Sequence, residues 1–190
     1  MKGAVFKAFE AFIEERWSED LIDSTLNLEG LSTGGAYTSV GNYPHSDMLT
    51  MAVHVADQTG TPVNTLVREF GEYLFHILAS AHAEMVAGFS SCVDMLSGIE
   101  SVIHRDVRKL YSNTELPQFD VEDRDGDRSV KLVYKSTRPF ADLAEGLILG
   151  AFEHYGVKAN SALSRYDHAP DGTHAAFTIM VNNDNRQNPS

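Results

Sequence analysis

Apolar side chains recur every three or four positions through the first 111 residues and at every second position after Pro117, so the chain changes its local structure once. Phe6, Phe9, Ile13 and Trp17, followed by Leu21, Thr25 and Leu28, predict two amphipathic helices ahead of a glycine-bearing loop at 30–35. Pro44 or Ser46 opens a third helix through Met48, Met51 and Val55, and Gly60 stops it. Thr61-Pro62 repeats the start signal, an N-cap followed by proline in the first turn, for a helix through Leu66, Phe70 and Leu74. A long helical segment at about 90–111 carries Leu96, Ile99, Ile103, Val107 and Leu110 as its stripe, with His104 on the stripe's edge beside Val107 and Tyr111.

In the second half, residues 118–123 and 129–135 flank Asp125-Gly126, a hairpin signal that asks for positive φ at both turn positions. Asp171-Gly172 repeats the signal between 161–167 and 173–181, and two hairpins predict a four-stranded antiparallel sheet. Between them, residues 139–155 predict a helix with Leu143, Leu147, Ile148, Ala151 and Phe152 apolar and Gly156 as its stop. The class is α+β in one domain over 1–181, with a helical lobe at about 1–60, a second lobe at about 61–181 and a polar tail at 182–190 that should fray.

Charge and composition narrow the function. Fifteen Lys and Arg stand against 27 Asp and Glu, and a net charge of -12 repels nucleic acid and anionic lipid over most of the surface. The only basic stretch, Arg105, Arg108 and Lys109, reads as a solvated helix face. There is no apolar run long enough to span a membrane and no secretory leader pattern at the start, so a cytoplasmic protein is expected. Cys92 is the single cysteine, which excludes an internal disulfide, and its neighbours Phe89, Val93 and Leu96 mark it as a buried structural thiol.

His104 is followed thirty residues later by Tyr134-Lys135-Ser136-Thr137-Arg138. A strand turns its side chains out alternately, so Tyr134, Ser136 and Arg138 should share one face and line an edge with three hydrogen-bond donors, one of them always cationic. Such a row suits a ligand with two carboxylates, and a neutral imidazole suits a metal; a haem has both needs. Each piece alone has a plainer meaning, His104 as a core residue bonded to a carbonyl and the strand residues as an exposed strand end. No nucleophile elbow, phosphate loop or metalloprotease motif is present, so no enzyme is expected; an acid-base pair of His104 with Asp106 or Glu100 is the weaker rival.

Taken together, His104-Arg105-Asp106-Val107 resembles the proximal-histidine motif of haem nitric oxide/oxygen binding (H-NOX) domains, and Tyr134-x-Ser136-x-Arg138 resembles their propionate-binding signature. Met1-Lys2-Gly3, Tyr37-Thr38-Ser39, Phe70-Gly71-Glu72-Tyr73-Leu74-Phe75, Pro117 and Ala144-Glu145-Gly146-Leu147 resemble further family segments in the same order, from Met1 to about Val181. The resemblance implies a helical N-terminal lobe packed on a larger lobe with the four-stranded sheet, and haem b (iron protoporphyrin IX) buried between them. It implies His104 as the axial iron ligand, Pro117 pressing on the porphyrin, and Tyr134, Ser136 and Arg138 on the propionates. Oxygen-binding relatives place a tyrosine five residues past the signature arginine. Here that position is Leu143, and Val5, Phe9 and Leu74 complete an apolar distal side, although Tyr73 and His76 adjoin Leu74.

The function so implied is a gas sensor for nitric oxide, with carbon monoxide as a second ligand, that excludes oxygen. Its output is expected to be a lobe rotation passed to a separate histidine kinase or cyclic-di-GMP enzyme, since no such enzyme follows in the sequence. Some relatives carry a cysteine zinc site near 140–143 and 166–176; here only His168 and His174 remain, a poor zinc set. The alternative is a haem-free small-molecule-binding regulatory module, which predicts no Soret band.

Overall fold

The computed structural model describes residues 1–110 and 115–182; Tyr111 and most of the 182–190 tail lie outside the described residues. The first helices follow the apolar periodicity: α1 (Gly3–Arg16), α2 (Glu19–Leu26), α3 (His45–Thr59) and α4 (Val63–Ala81). Ser18 caps α2 by accepting from the Leu21 N–H at 3.2 Å, and Gly60 ends α3 at φ 69°, a left-handed turn that costs glycine little. Short helices α5 (Ala83–Ala87) and α6 (Cys92–Ser97) follow, then a π-helix (Ile99–His104) and α7 (Arg105–Leu110). Strands β1 (Gln118–Asp125) and β2 (Ser129–Lys135), helix α8 (Ala141–His154), and strands β3 (Ala162–Asp167) and β4 (His174–Met180) complete the order. The long helical segment at 90–111 is therefore three pieces rather than one.

The sheet is antiparallel in the order β1-β2-β4-β3, as the two hairpins predicted. Its central strands explain where burial falls: Val130, Leu132, Val133 and Tyr134 of β2 and Ala175, Ala176, Phe177 and Ile179 of β4 are buried, whereas edge strand β1 buries only Phe119. The turn chemistry differs from expectation. Only glycine adopts positive φ among the described residues, Gly126 at 53° and Gly172 at 75°, so the preceding aspartates stay in ordinary backbone. Asp125 pairs with Ser129 across a three-residue loop, and the second connection spans 168–173. Longer loops distribute the reversal and need one left-handed residue each rather than two.

The chain divides into two compact units. The first comprises Met1–Ala81 and Asp142–Gly150 among its described segments, and its core is Phe6, Phe9, Phe12, Ile13, Met51, Val55, Leu66, Phe70 and Leu74. Buried Asp47 knits it together: the carboxylate accepts from the Ser32 N–H at 3.1 Å, the Ser32 hydroxyl at 2.6 Å and the Tyr37 hydroxyl at 3.0 Å. Burial, with that bond behind it, pushes the Tyr37 phenol up to about 12. The second unit comprises His82–Leu110, Leu116–Ala141 and the chain from Ala151, with α6 packed on β2 and the π-helix on β1.

Cys92 lies at the start of α6, 3% exposed, and burial pushes its thiol from 9.0 to about 12. Thiolate is the reacting species, so at pH 8 the folded protein should alkylate with iodoacetamide about 1000-fold more slowly than after denaturation. Equal rates, followed by mass spectrometry, would show the thiol to be exposed.

Candidate haem-binding site

His104 ends the π-helix. That turn begins where the Gly98 carbonyl accepts both the Val102 N–H at 2.9 Å and the Ile103 N–H at 3.3 Å, the second bond spanning five residues and widening the coil. A Cβ at Gly98 would stand 2.5 Å from the Phe89 ring, so the residue that starts the turn is glycine because a neighbouring side chain occupies the space. The apolar stripe gave no sign of the break, because one extra residue in a turn leaves Ile99, Ile103 and Val107 on roughly the same side.

The His104 side chain is 12% exposed, and its Nδ1 lies 3.0 Å from the Glu100 carboxylate. Burial holds the imidazole below the usual histidine range, against the pull of Glu100 and of the Pro117 carbonyl. The ring is therefore neutral at pH 7, the form that binds a metal. Glu100 also pairs with Arg108 and accepts from the Phe119 N–H at 3.4 Å. Asp106, the other acid considered as a partner for His104, is instead held by Arg105 and Lys109, each at 3.0 Å.

Phe119 links the histidine to the signature residues, its ring centroid 5.9 Å from that of His104 and 5.4 Å from that of Tyr134. Tyr134 is 1% exposed, opposite Phe119 on β1 and Ala175 on β4, and the small alanine leaves room for its ring. Burial raises its phenol, whose hydroxyl donates to the Arg138 carbonyl at 3.3 Å. The shared strand face expected for Tyr134, Ser136 and Arg138 is not what forms. β2 ends at Lys135, and the Ser136 hydroxyl accepts the Arg138 N–H at 3.0 Å, closing a turn ahead of Pro139. Proline lacks a ladder donor and serine offers the backbone a local partner, so the strand cannot continue. The three residues still converge, by a turn rather than by alternation.

In the first unit, Phe9 on α1 and Leu74 on α4 are 0% and 3% exposed, while Val5 on α1 and Leu143 on α8 are partly buried. Phe9 meets Phe70 edge to face at 4.9 Å. Helices α4 and α8 approach closely at Gly71 and Gly146, which brings the Leu143 carbonyl beside α4. Tyr73 stacks obliquely on Phe12 at 5.4 Å and its hydroxyl is engaged by Glu15, with burial raising its phenol; His76 is exposed. On the sheet, the His168 and His174 rings lie 4.5 Å apart, and no cluster of three metal-ligating side chains occurs among the described residues.

The haem-NO-binding family profile matches residues 2–162. The chain belongs to the haem-NO-binding family. Solved structures of H-NOX proteins share its fold. The K. algicida H-NOX protein in the Fe(II) unliganded state is 30% identical, with 96% of this chain and 97% of that one covered at a TM-score of 0.89. The Shewanella woodyi H-NOX bound to IWP-051, in the Fe(II)CO ligation state, is 37% identical over 100% and 99% of the two chains at 0.79. The S. oneidensis H-NOX protein in the Fe(II)NO ligation state is 27% identical over 96% and 100% at 0.84. No curated protein matches. Glu100 was one of two acids the sequence offered beside His104, and its i,i+4 spacing on a helical segment was the available signal, whereas Phe119 was not singled out by sequence.

The donor set fits a haem. It offers a buried imidazole whose Nδ1 lies beside a carboxylate, with the Tyr134 and Ser136 hydroxyls and the residue Arg138 on one turn. Among the described residues, no helix is long and apolar enough to cross a membrane.

Proposed function

We propose that this chain is a haem-based gas sensor in which His104 is the axial ligand of haem b and nitric oxide is the ligand sensed. The observation that carries the reading is the neutral, carboxylate-held His104 in the same compact unit as the Tyr134-Ser136-Arg138 turn, in a family whose relatives are solved with Fe(II)NO and Fe(II)CO. Bound haem would supply the iron that takes the gas. Ser136 would donate to its propionates, Tyr134 would do so by turning its hydroxyl from the Arg138 carbonyl, Arg138 would add a charge-assisted contact and Pro117 would press on the ring. By the family resemblance Val5, Phe9, Leu74 and Leu143 would form the distal side, and none carries a side-chain hydrogen-bond donor, which would disfavour the partly negative bound dioxygen and admit uncharged nitric oxide and carbon monoxide. The domain is read as a non-catalytic sensor. Signalling by lobe rotation to a separate histidine kinase or cyclic-di-GMP enzyme, and a cytoplasmic setting, rest on the family resemblance.

One absorbance series tests this. Purified, reduced protein should show a Soret band, keep its ferrous spectrum at first contact with air and change it with nitric oxide. A stable oxygen complex refutes the apolar-pocket reading, and a folded, colourless protein that hemin does not reconstitute supports the haem-free module instead. Arg138→Ala should speed haem loss to apomyoglobin about tenfold, the worth of roughly 1.5 kcal/mol from one charge-assisted bond. The fold should persist, because the turn uses the main-chain N–H and carbonyl of Arg138. An unchanged rate removes Arg138 from the propionate role.

A further inference from the structure

We propose that Glu100 is the positioning residue for His104, its carboxylate fixing the orientation and tautomer of the imidazole and setting how strongly Nε2 donates to iron. The inference rests on the haem reading above and adds to it a residue outside the signature motifs. Oε2 lies 3.0 Å from His104 Nδ1 and 3.4 Å from the Phe119 main-chain nitrogen, while Oε1 pairs with Arg108. The donors come from the π-helix, β1 and α7, so the carboxylate is held from three sides and cannot swing away without breaking all three contacts.

A carboxylate accepting Nδ1–H makes the histidine a tautomer with its other lone pair on Nε2. Negative charge beside that proton also gives the ring imidazolate character, which strengthens a metal bond made at the far nitrogen. Within four residues of His104 on its helical segment, the acids are Glu100 and Asp106, and Asp106 is tied to Arg105 and Lys109 instead. A merely structural Glu100, tying the π-helix to β1, would alter stability and leave ligand strength alone. The two roles therefore separate by measurement.

The test compares the haem-loaded wild type with Glu100→Gln, Glu100→Ala and Asp106→Asn. Resonance Raman spectra of the ferrous proteins report the iron-histidine stretch, and transfer to apomyoglobin reports haem loss. The stretch should move to lower frequency in Glu100→Gln, which keeps a neutral acceptor and the shape of the side chain, and further in Glu100→Ala. Haem loss from Glu100→Ala should be about tenfold faster. Asp106→Asn should match the wild type. A wild-type band that both Glu100 variants leave in place, with only the melting temperature lowered, overturns the Glu100 role alone. A wild type with no iron-histidine band overturns the haem ligation by His104, and this role with it.

Discussion

Replacing His104 with glycine is expected to abolish the ferrous spectrum of the wild type and to weaken haem retention by more than the roughly 100-fold that loss of an outer partner can cost. The reason is local. His104 is the proposed iron ligand, it adjoins the Tyr134-Ser136-Arg138 turn through Phe119, and burial favours its neutral imidazole. Removing the ring leaves a space the size of an imidazole next to the Glu100 carboxylate, so added imidazole should enter it and restore the spectrum. Glycine also loosens the π-helix, and circular dichroism will separate unfolding from loss of a ligand. A folded variant with the wild-type ferrous spectrum and no need of imidazole would transfer the ligand role to another residue.

Gly146→Ala should be strongly destabilising, because the added methyl falls where two helices of the first unit touch. A Cβ there would sit 1.9 Å from the Arg68 carbonyl oxygen and 2.8 Å from the Gly71 Cα, and on the facing helix a Cβ at Gly71 would meet the Leu143 carbonyl at 2.5 Å. Both obstacles are main chain, so no rotamer relieves the clash and α4 and α8 must separate. Overpacking of this kind costs about 3 kcal/mol, which outweighs the roughly 1 kcal/mol that alanine adds to an isolated helix. For a chain of this size the net loss of about 2 kcal/mol is a fall in melting temperature of about 6 °C. Because α8 carries Leu143, gas affinity should change as well. An unchanged or raised melting temperature would mean that the crossing has slack, and would remove the explanation for paired glycines.

Most element boundaries were legible because they depend on residues with strong local effects. Pro62 opens α4, and Gly60 and Gly156 adopt the left-handed turns expected after α3 and α8, at φ 69° and 60°. The number and direction of the strands followed from alternation between two glycine turns. Where reasoning by alternation failed, the cause was also local but competitive: Ser136 captured the Arg138 N–H, and Pro139 ended the ladder, so the signature residues meet on a turn. The π-helix was invisible because it rests on the Ile103 N–H reaching the Gly98 carbonyl five residues back, a main-chain choice that no side-chain periodicity records.

By itself the amino-acid sequence determined the α+β class, the four antiparallel strands, and the residues His104, Tyr134, Ser136 and Arg138 as the likeness to a haem-binding family, since these depend on side-chain period, turn chemistry and motif spacing. Only the tertiary structure decided that Glu100 and not Asp106 faces His104, that Phe119 joins the histidine to Tyr134, and that glycines 71 and 146 are where two helices touch. Those are outcomes of packing. Two acids near one histidine are equivalent in sequence, and they become different when the backbone gives one of them an imidazole to hold and the other a pair of surface cations.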